Sequence, residues 1–383
     1  MKPYDVIVAG LGAMGSATAA HCATRGARVL GLERWQPGHA HGSSHGDSRI
    51  IREMYFEHPM YVPLVQRAYT RWQELEQNTG TKLLTVTGGL MAGPATSEIV
   101  TGTVRSAREH GLPFEMLDAQ GIHERFPACC PPEGTVGVVD PRAGHLNPEA
   151  GNAAHHAVAR THGAELRFDE GVQSWEADAN GVRVTTARGT YHADRLCLSV
   201  GAYLAPLVAS LALPLTVERQ VLAWFDPDPG DRTWSAPELG IWAYDNAAGQ
   251  MTYGFPRLAR GVKMAVMHEG ERTADGAAVR EAADERDLAL IRERCGELLP
   301  AIRSTPMREM AVCRFTNTPD LDFVLDWHPS HAHVLVSSPC SGHGYKFASA
   351  IGEVSAELLL DGETAFDLTP FSLARLRRQG ASV

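Results

Sequence analysis

The chain has 383 residues, 44% hydrophobic and 21% charged, with 45 acidic and 35 basic side chains for a formal charge of −10. This composition suits a globular protein with two cores, and the negative balance argues against a general affinity for nucleic acid or anionic membranes. No apolar run reaches the ~20 residues of a membrane span, the first strand follows Met1 almost at once, and seven cysteines without a C-x-x-C pair fit neither a disulfide framework nor a zinc centre; the expected address is the cytoplasm, with no metal bound.

The chain opens on a dinucleotide-binding signature. Asp5 to Ala9 reads as a buried strand, followed by Gly10, Gly12 and Gly15 in G-x-G-x-x-G spacing, a helix, and the strand Arg28 to Leu32 ending on Glu33. Gly10 permits the tight turn, Gly12 lets the backbone approach a pyrophosphate, and Gly15 lets the helix pack closely on the strand. The first free N–H groups of the helix, around Ala13 and Met14, then face the phosphates. Glu33 accepts from both ribose hydroxyls and repels a 2′-phosphate, so FAD or NAD is expected and NADP disfavoured. Arg34, next to it, joins the expected cofactor contacts.

Further on, Asp194 to Val200 reads as another strand, running through Gly201-Ala202 into a helix-like stretch, Tyr203 to Leu211. Gly249 to Phe255 alternates as a half-buried strand does, and Ala278 to Leu299 reads as a polar helix. His333 to Ser338 is a strand, Ser341-Gly342-His343-Gly344 a turn, and Tyr345 to about Leu360 a helix whose N-terminus faces the turn. No linker separates these pieces. The expectation is therefore an α/β, Rossmann-like cofactor domain (residues 1–85, 145–215 and 310–383) interleaved with an α+β, antiparallel-sheet substrate domain (86–144 and 216–309). The seventeen histidines, His39, His41 and His45 among them, lack the carboxylate context of a metal site.

Residues 42–52, GSSHGDSRIIR, are not required by a Rossmann fold. With Tyr253-Gly254-Phe255-Pro256, Cys313 to Asp320 (CRFTNTPD) and Ser341 to Phe347 (SGHGYKF), they resemble the signature of the monomeric sarcosine oxidase and N-methyltryptophan oxidase family, FAD enzymes of the D-amino-acid-oxidase fold. The resemblance implies a monomeric oxidase of secondary amino acids. It would use O2 and release H2O2, formaldehyde and the primary amine. It implies covalent FAD attachment through Cys313, which taken alone is only a buried thiol. It also implies cofactor contacts from Ser43, Ser44, Arg49, Val172, Gly342, Gly344 and Lys346.

The same resemblance makes Arg52 and Lys346 a clamp for the substrate carboxylate, a planar fork beside a point charge. Lys263 becomes the oxygen-activating lysine, and His45, Arg49, Tyr253 and His268 complete the catalytic set. Two positions depart from the family pattern. Met267 stands where a cavity-wall histidine is usual, with His268 next, and Phe315 stands where tyrosine is common. Either Met267 or His268 faces the substrate, together with Tyr253. Both departures make the pocket less polar and leave the substrate open, with a cyclic imino acid such as pipecolate or proline as one alternative. A dehydrogenase of the same fold that passes electrons to another acceptor is the second. A noncatalytic flavin- or NAD-binding module is the third.

Overall fold

A computed structural model describes residues 4–379. Its frame is an eight-stranded sheet around Tyr4–Ala9, which pairs in parallel with Val29–Leu32 on one side and Thr190–Leu198 on the other. Val6 to Ala9 are fully buried, as a near-continuous apolar strand covered on both faces should be. Glu165–Arg167 extends the sheet beyond Val29–Leu32, and His331–Ser338 joins in parallel on Thr190–Leu198. Helix Ala13–Thr24 packs against helices Pro148–Thr161 and Ala348–Asp361. Small residues permit that approach: a Cβ on Gly352 would lie 2.4 Å from Ala17 Cβ.

The second body is a nine-stranded, largely antiparallel sheet. Towards one edge runs Thr216–Phe225, flanked by Gly261–Val266 and Met307–Asn317. Lys263 lies opposite Trp224, and Cys313 opposite Gln220. Residues 220, 222 and 224 share a face by the period of two, so Lys263 and Cys313 share it too. A three-stranded sheet of Arg49–Ile51, Gly144–Leu146 and Leu84–Val86 lies apart from both.

The α/β and α+β architecture is the expected one, but several elements differ in detail. The chain joins the substrate sheet through Asn317, so the strand bearing Cys313 pairs there and not in the cofactor domain expected from residue 310. Residues 201–211 form two 3-10 segments rather than an α-helix, and Val208 leaves helical geometry inside the second. The polar run 278–299 contains an α-helix only over Glu285–Cys295, where Asp284 and Asp287 form a capping box. The last long helix is preceded by a 3-10 turn, Tyr345–Phe347, and becomes α-helical at Ala348.

Candidate active site

A cavity of about 570 Å³ opens at the C-terminal end of Tyr4–Ala9. Gly10 turns there with φ +87, a conformation that L side chains rarely adopt, and its Cβ would sit 2.4 Å from Ser199 O. Gly15 does not line this cavity; a Cβ there would lie 1.8 Å from Gly10 O, so its task is helix packing. A Cβ on Gly12 would meet only Ser44 Oγ, 3.8 Å away, leaving the backbone open to the cavity. Ser44 Oγ also accepts from Ala13 N–H at 3.3 Å, and Met14 lines the cavity beside it.

Glu33, Arg34, Val172, Arg49, Gly342 and Gly344 all line this cavity. Each Glu33 oxygen already accepts a backbone N–H, Oε2 from Leu11 at 2.8 Å and Oε1 from Trp35 at 3.2 Å. The expected ribose bonds would fall on the remaining lone pairs. Ser43 lines the wall, its hydroxyl donating to Arg314 O at 2.6 Å. His39 Nδ1, Glu149 Oε2, Asn152 Oδ1 and Ser337 Oγ are buried, have no partner among the described residues, and belong to side chains on this wall. Orphaned polar atoms along a long cavity at a glycine-rich turn fit a long polar ligand such as FAD.

A second cavity, about 80 Å³, shares Arg49, Phe315, Gly342 and Tyr345 with the first. Four basic side chains line it, Arg49, Arg52, Lys263 and Lys346, against one carboxylate, Glu57; much of the rest is apolar, including Phe255, Tyr253 and Met267. Arg52 and Lys346 lie against one ring, Arg52 Cζ 4.2 Å and Lys346 Nζ 5.1 Å from the Tyr55 centroid. Arg52 Nη2 donates to both oxygens of Glu57, Oε1 at 2.7 Å. Burial, the largest single influence, disfavours the charged Glu57 carboxylate, but Arg52, His343 and Lys346 together outweigh it and keep the pKa below the usual range.

Lys346 is not the solvent-exposed first-turn lysine that a bare helix would present. It is 5% exposed, and Nζ donates to His343 O at 2.7 Å and to Tyr55 OH at 3.4 Å. Burial, with Arg52 adding to it, lowers its pKa to about 7. Trp72 fixes the turn by donating Nε1–H to Lys346 O at 2.8 Å. His343 Nε2 lies 3.0 Å from Leu321 O, so that nitrogen carries the proton and Nδ1 accepts from Tyr55 OH.

Lys263 is 2% exposed, and its Nζ donates to Gly46 O and Ser48 O, each at 2.6 Å. Cys313 is 1% exposed and lines the same cavity, with Arg49 Nη2 3.7 Å from its sulfur. Arg49 is pinned by Ser48 O and Ser43 O, both at 2.8 Å. Tyr253 lines the cavity as well, and burial raises its phenol pKa, so it stays protonated.

Two expectations need correction. His268 lines neither cavity: the strand ends at Val266, His268 turns with φ +62, and Nδ1 lies 3.3 Å from Glu218 Oε2. Met267 therefore takes the wall position. His45 also lines neither cavity; burial first, then Arg49 and Lys263, lowers its pKa to about 3, so it is a neutral imidazole and no proton donor near pH 7. The sequence reading missed Tyr55, Glu57 and His343. Glu57 is only five residues beyond Arg52, yet a loop acid at that spacing has no signature of its own.

The chain belongs to the FAD dependent oxidoreductase (DAO) family, which matches residues 5–358. It is 41% identical over 381 residues to the monomeric sarcosine oxidase of Streptomyces avermitilis, covering 98% of this chain and 99% of that protein. Over 377 residues it is 33% identical to the N-methyl-L-tryptophan oxidase of Salmonella heidelberg, covering 97% and 99%. Among solved structures it resembles the open form of NikD, an unusual amino acid oxidase essential for nikkomycin biosynthesis, with a TM-score of 0.85, 26% identity and coverage of 97% and 98%.

Proposed function

We propose that this FAD enzyme oxidises N-methylated α-amino acids with O2 as acceptor, releasing the primary amine, formaldehyde and H2O2, as a cytoplasmic monomer. The observation that carries the reading is the net positive, otherwise largely apolar cavity that shares a wall with the cofactor cavity. Arg52 and Lys346 supply a fork and a point charge for one carboxylate on the Tyr55 ring, and an incoming substrate carboxylate competes with Glu57 for Arg52. Anchored there, the substrate presents its C–N bond toward the shared wall of Arg49, Phe315 and Gly342. Bound FAD supplies the two-electron oxidation of that bond.

The side chains do the rest. Lys263 places a basic nitrogen where negative charge develops as O2 is reduced. Cys313, 3.7 Å from Arg49 Nη2, would hold the flavin ring through a thioether. Met267 and Phe315 give an apolar wall suited to a side chain larger than that of sarcosine. Formaldehyde and H2O2 appearing in equal amounts from N-methyl amino acids would support the reading. Amine oxidation that consumes no O2 would instead indicate a dehydrogenase, and oxidation of pipecolate or proline without formaldehyde a cyclic substrate.

A further inference from the structure

Lys263 is held unusually for a buried cation, because its two hydrogen bonds run to the carbonyls of Gly46 and Ser48 rather than to a carboxylate. Those carbonyls flank a costly turn. Gly46 has φ +93 and Asp47 φ +65, so two successive residues occupy left-handed conformations and only one is glycine. On the opposite side of the turn, Glu149 Oε1 accepts from Gly46 N–H at 2.6 Å and from Asp47 N–H at 3.4 Å. Glu149 lies in the first turn of helix Pro148–Thr161, lines the cofactor cavity, and has Oε2 buried without a hydrogen-bond partner among the described residues. A carboxylate thus grips the amides of a turn whose carbonyls grip Lys263.

We propose that Glu149 is the positioning residue for Lys263: it aims the Gly46 and Ser48 carbonyls at Nζ and supplies the nearby negative charge that keeps a cation in an aromatic wall. The inference rests on reading Lys263 as the group that serves O2. The Phe255 and Trp224 rings, with centroids 4.2 Å and 5.6 Å from Nζ, attract an ammonium through their faces but bring no anion, so burial remains the opposing effect. Burial, then Arg49, lowers the lysine's pKa well below its ordinary value, while Asp47, Glu149 and the Cys313 thiol act in the opposite sense. His45 and His145 also face Lys263, and burial keeps both neutral. Asp47 is engaged by Arg260, 3.3 Å away, whereas Glu149 has no ion pair among the described residues. Both carboxylates thus favour the charged lysine, but Glu149 is the one that also accepts from the turn amides at Gly46 and Asp47.

The test uses holoenzyme whose flavin is reduced photochemically without substrate and then mixed with O2. Lys263→Met is expected to slow reoxidation about 10²- to 10³-fold, and Glu149→Ala at least about tenfold. Glu149→Gln, which keeps an acceptor for the turn amides, should slow it less and move its pH dependence to lower pH. In the Lys263→Met background neither Glu149 substitution should slow it further, the non-additivity of two residues acting as one. A crystal structure of Glu149→Ala should show Lys263 Nζ displaced from Gly46 O. Equal slowing in both backgrounds overturns the proposal, as does unchanged reoxidation in Glu149→Ala while Lys263→Met is slow. Should Glu149→Ala fail to fold, an unmoved pH profile in Glu149→Gln overturns it. Fast reoxidation in Lys263→Met would instead overturn the reading of Lys263 itself.

Discussion

Cys313 and Arg49 meet at the border of the two cavities, Nη2 and Sγ 3.7 Å apart, where a covalent link would join the flavin to the substrate sheet. Acid precipitation should therefore leave the yellow colour in the pellet, and Cys313→Ala should release it; free flavin from the unmutated protein would contradict the attachment. The clamp makes a pH prediction. With its pKa lowered to about 7, Lys346 carries its charge below that pH and loses it above. The dissociation constant of a simple carboxylate such as acetate should rise as pH increases through 7, and Lys346→Met should abolish that dependence. Arg52→Ala removes a charge-assisted partner and should weaken acetate tens- to hundreds-fold; an unchanged constant would remove Arg52 from the clamp. Met267 and Phe315 on the wall predict that kcat/KM for N-methyl-leucine exceeds that for sarcosine, since each buried methylene contributes about 0.8 kcal/mol. His268→Ala should leave the ratio unchanged, because His268 lies on Glu218 and not in the cavity.

At the scale of elements, the opening turn separates two kinds of glycine. Gly15→Ala drives a Cβ to 1.8 Å from Gly10 O, so strand and helix must part, at a cost of about 1–3 kcal/mol and with loss of flavin incorporation. Gly12 has φ −72, which alanine adopts freely, and its Cβ would meet only Ser44 Oγ at 3.8 Å. Gly12→Ala should fold with nearly the parent Tm of the flavin-free protein yet incorporate little flavin, because its methyl projects into the cavity. A matching loss of Tm in both variants would contradict that division. This βαβ unit was legible in the sequence because glycine spacing and apolar runs are local signals. The 3-10 segments after Gly201 were not, since apolar periodicity does not distinguish them from an α-helix and the kink at Val208 has no sequence signature.

For the whole molecule, the α/β plus α+β architecture was readable from the order of strands and helices, while the crossing between sheets was not. Cys313 stands in the substrate sheet because its strand pairs with Thr216–Phe225, nearly a hundred residues earlier, and no local pattern announces such a partner. The same distance hid Glu149, which acts on a turn 102 and 103 residues away in sequence. The motif residues Arg49, Arg52, Cys313 and Lys346 do converge on one cavity, whereas His45 and His268 do not, because a motif gives residue types and not the direction of a side chain. The most direct test of the proposed oxidase chemistry is to follow the visible flavin band of the purified protein. An N-methyl amino acid is added without oxygen, and air is then admitted. The account predicts bleaching by the substrate, full return of the band on contact with O2, and one H2O2 for each amine oxidised. A band that no secondary amino acid bleaches, or one that bleaches and does not return with O2, would contradict it.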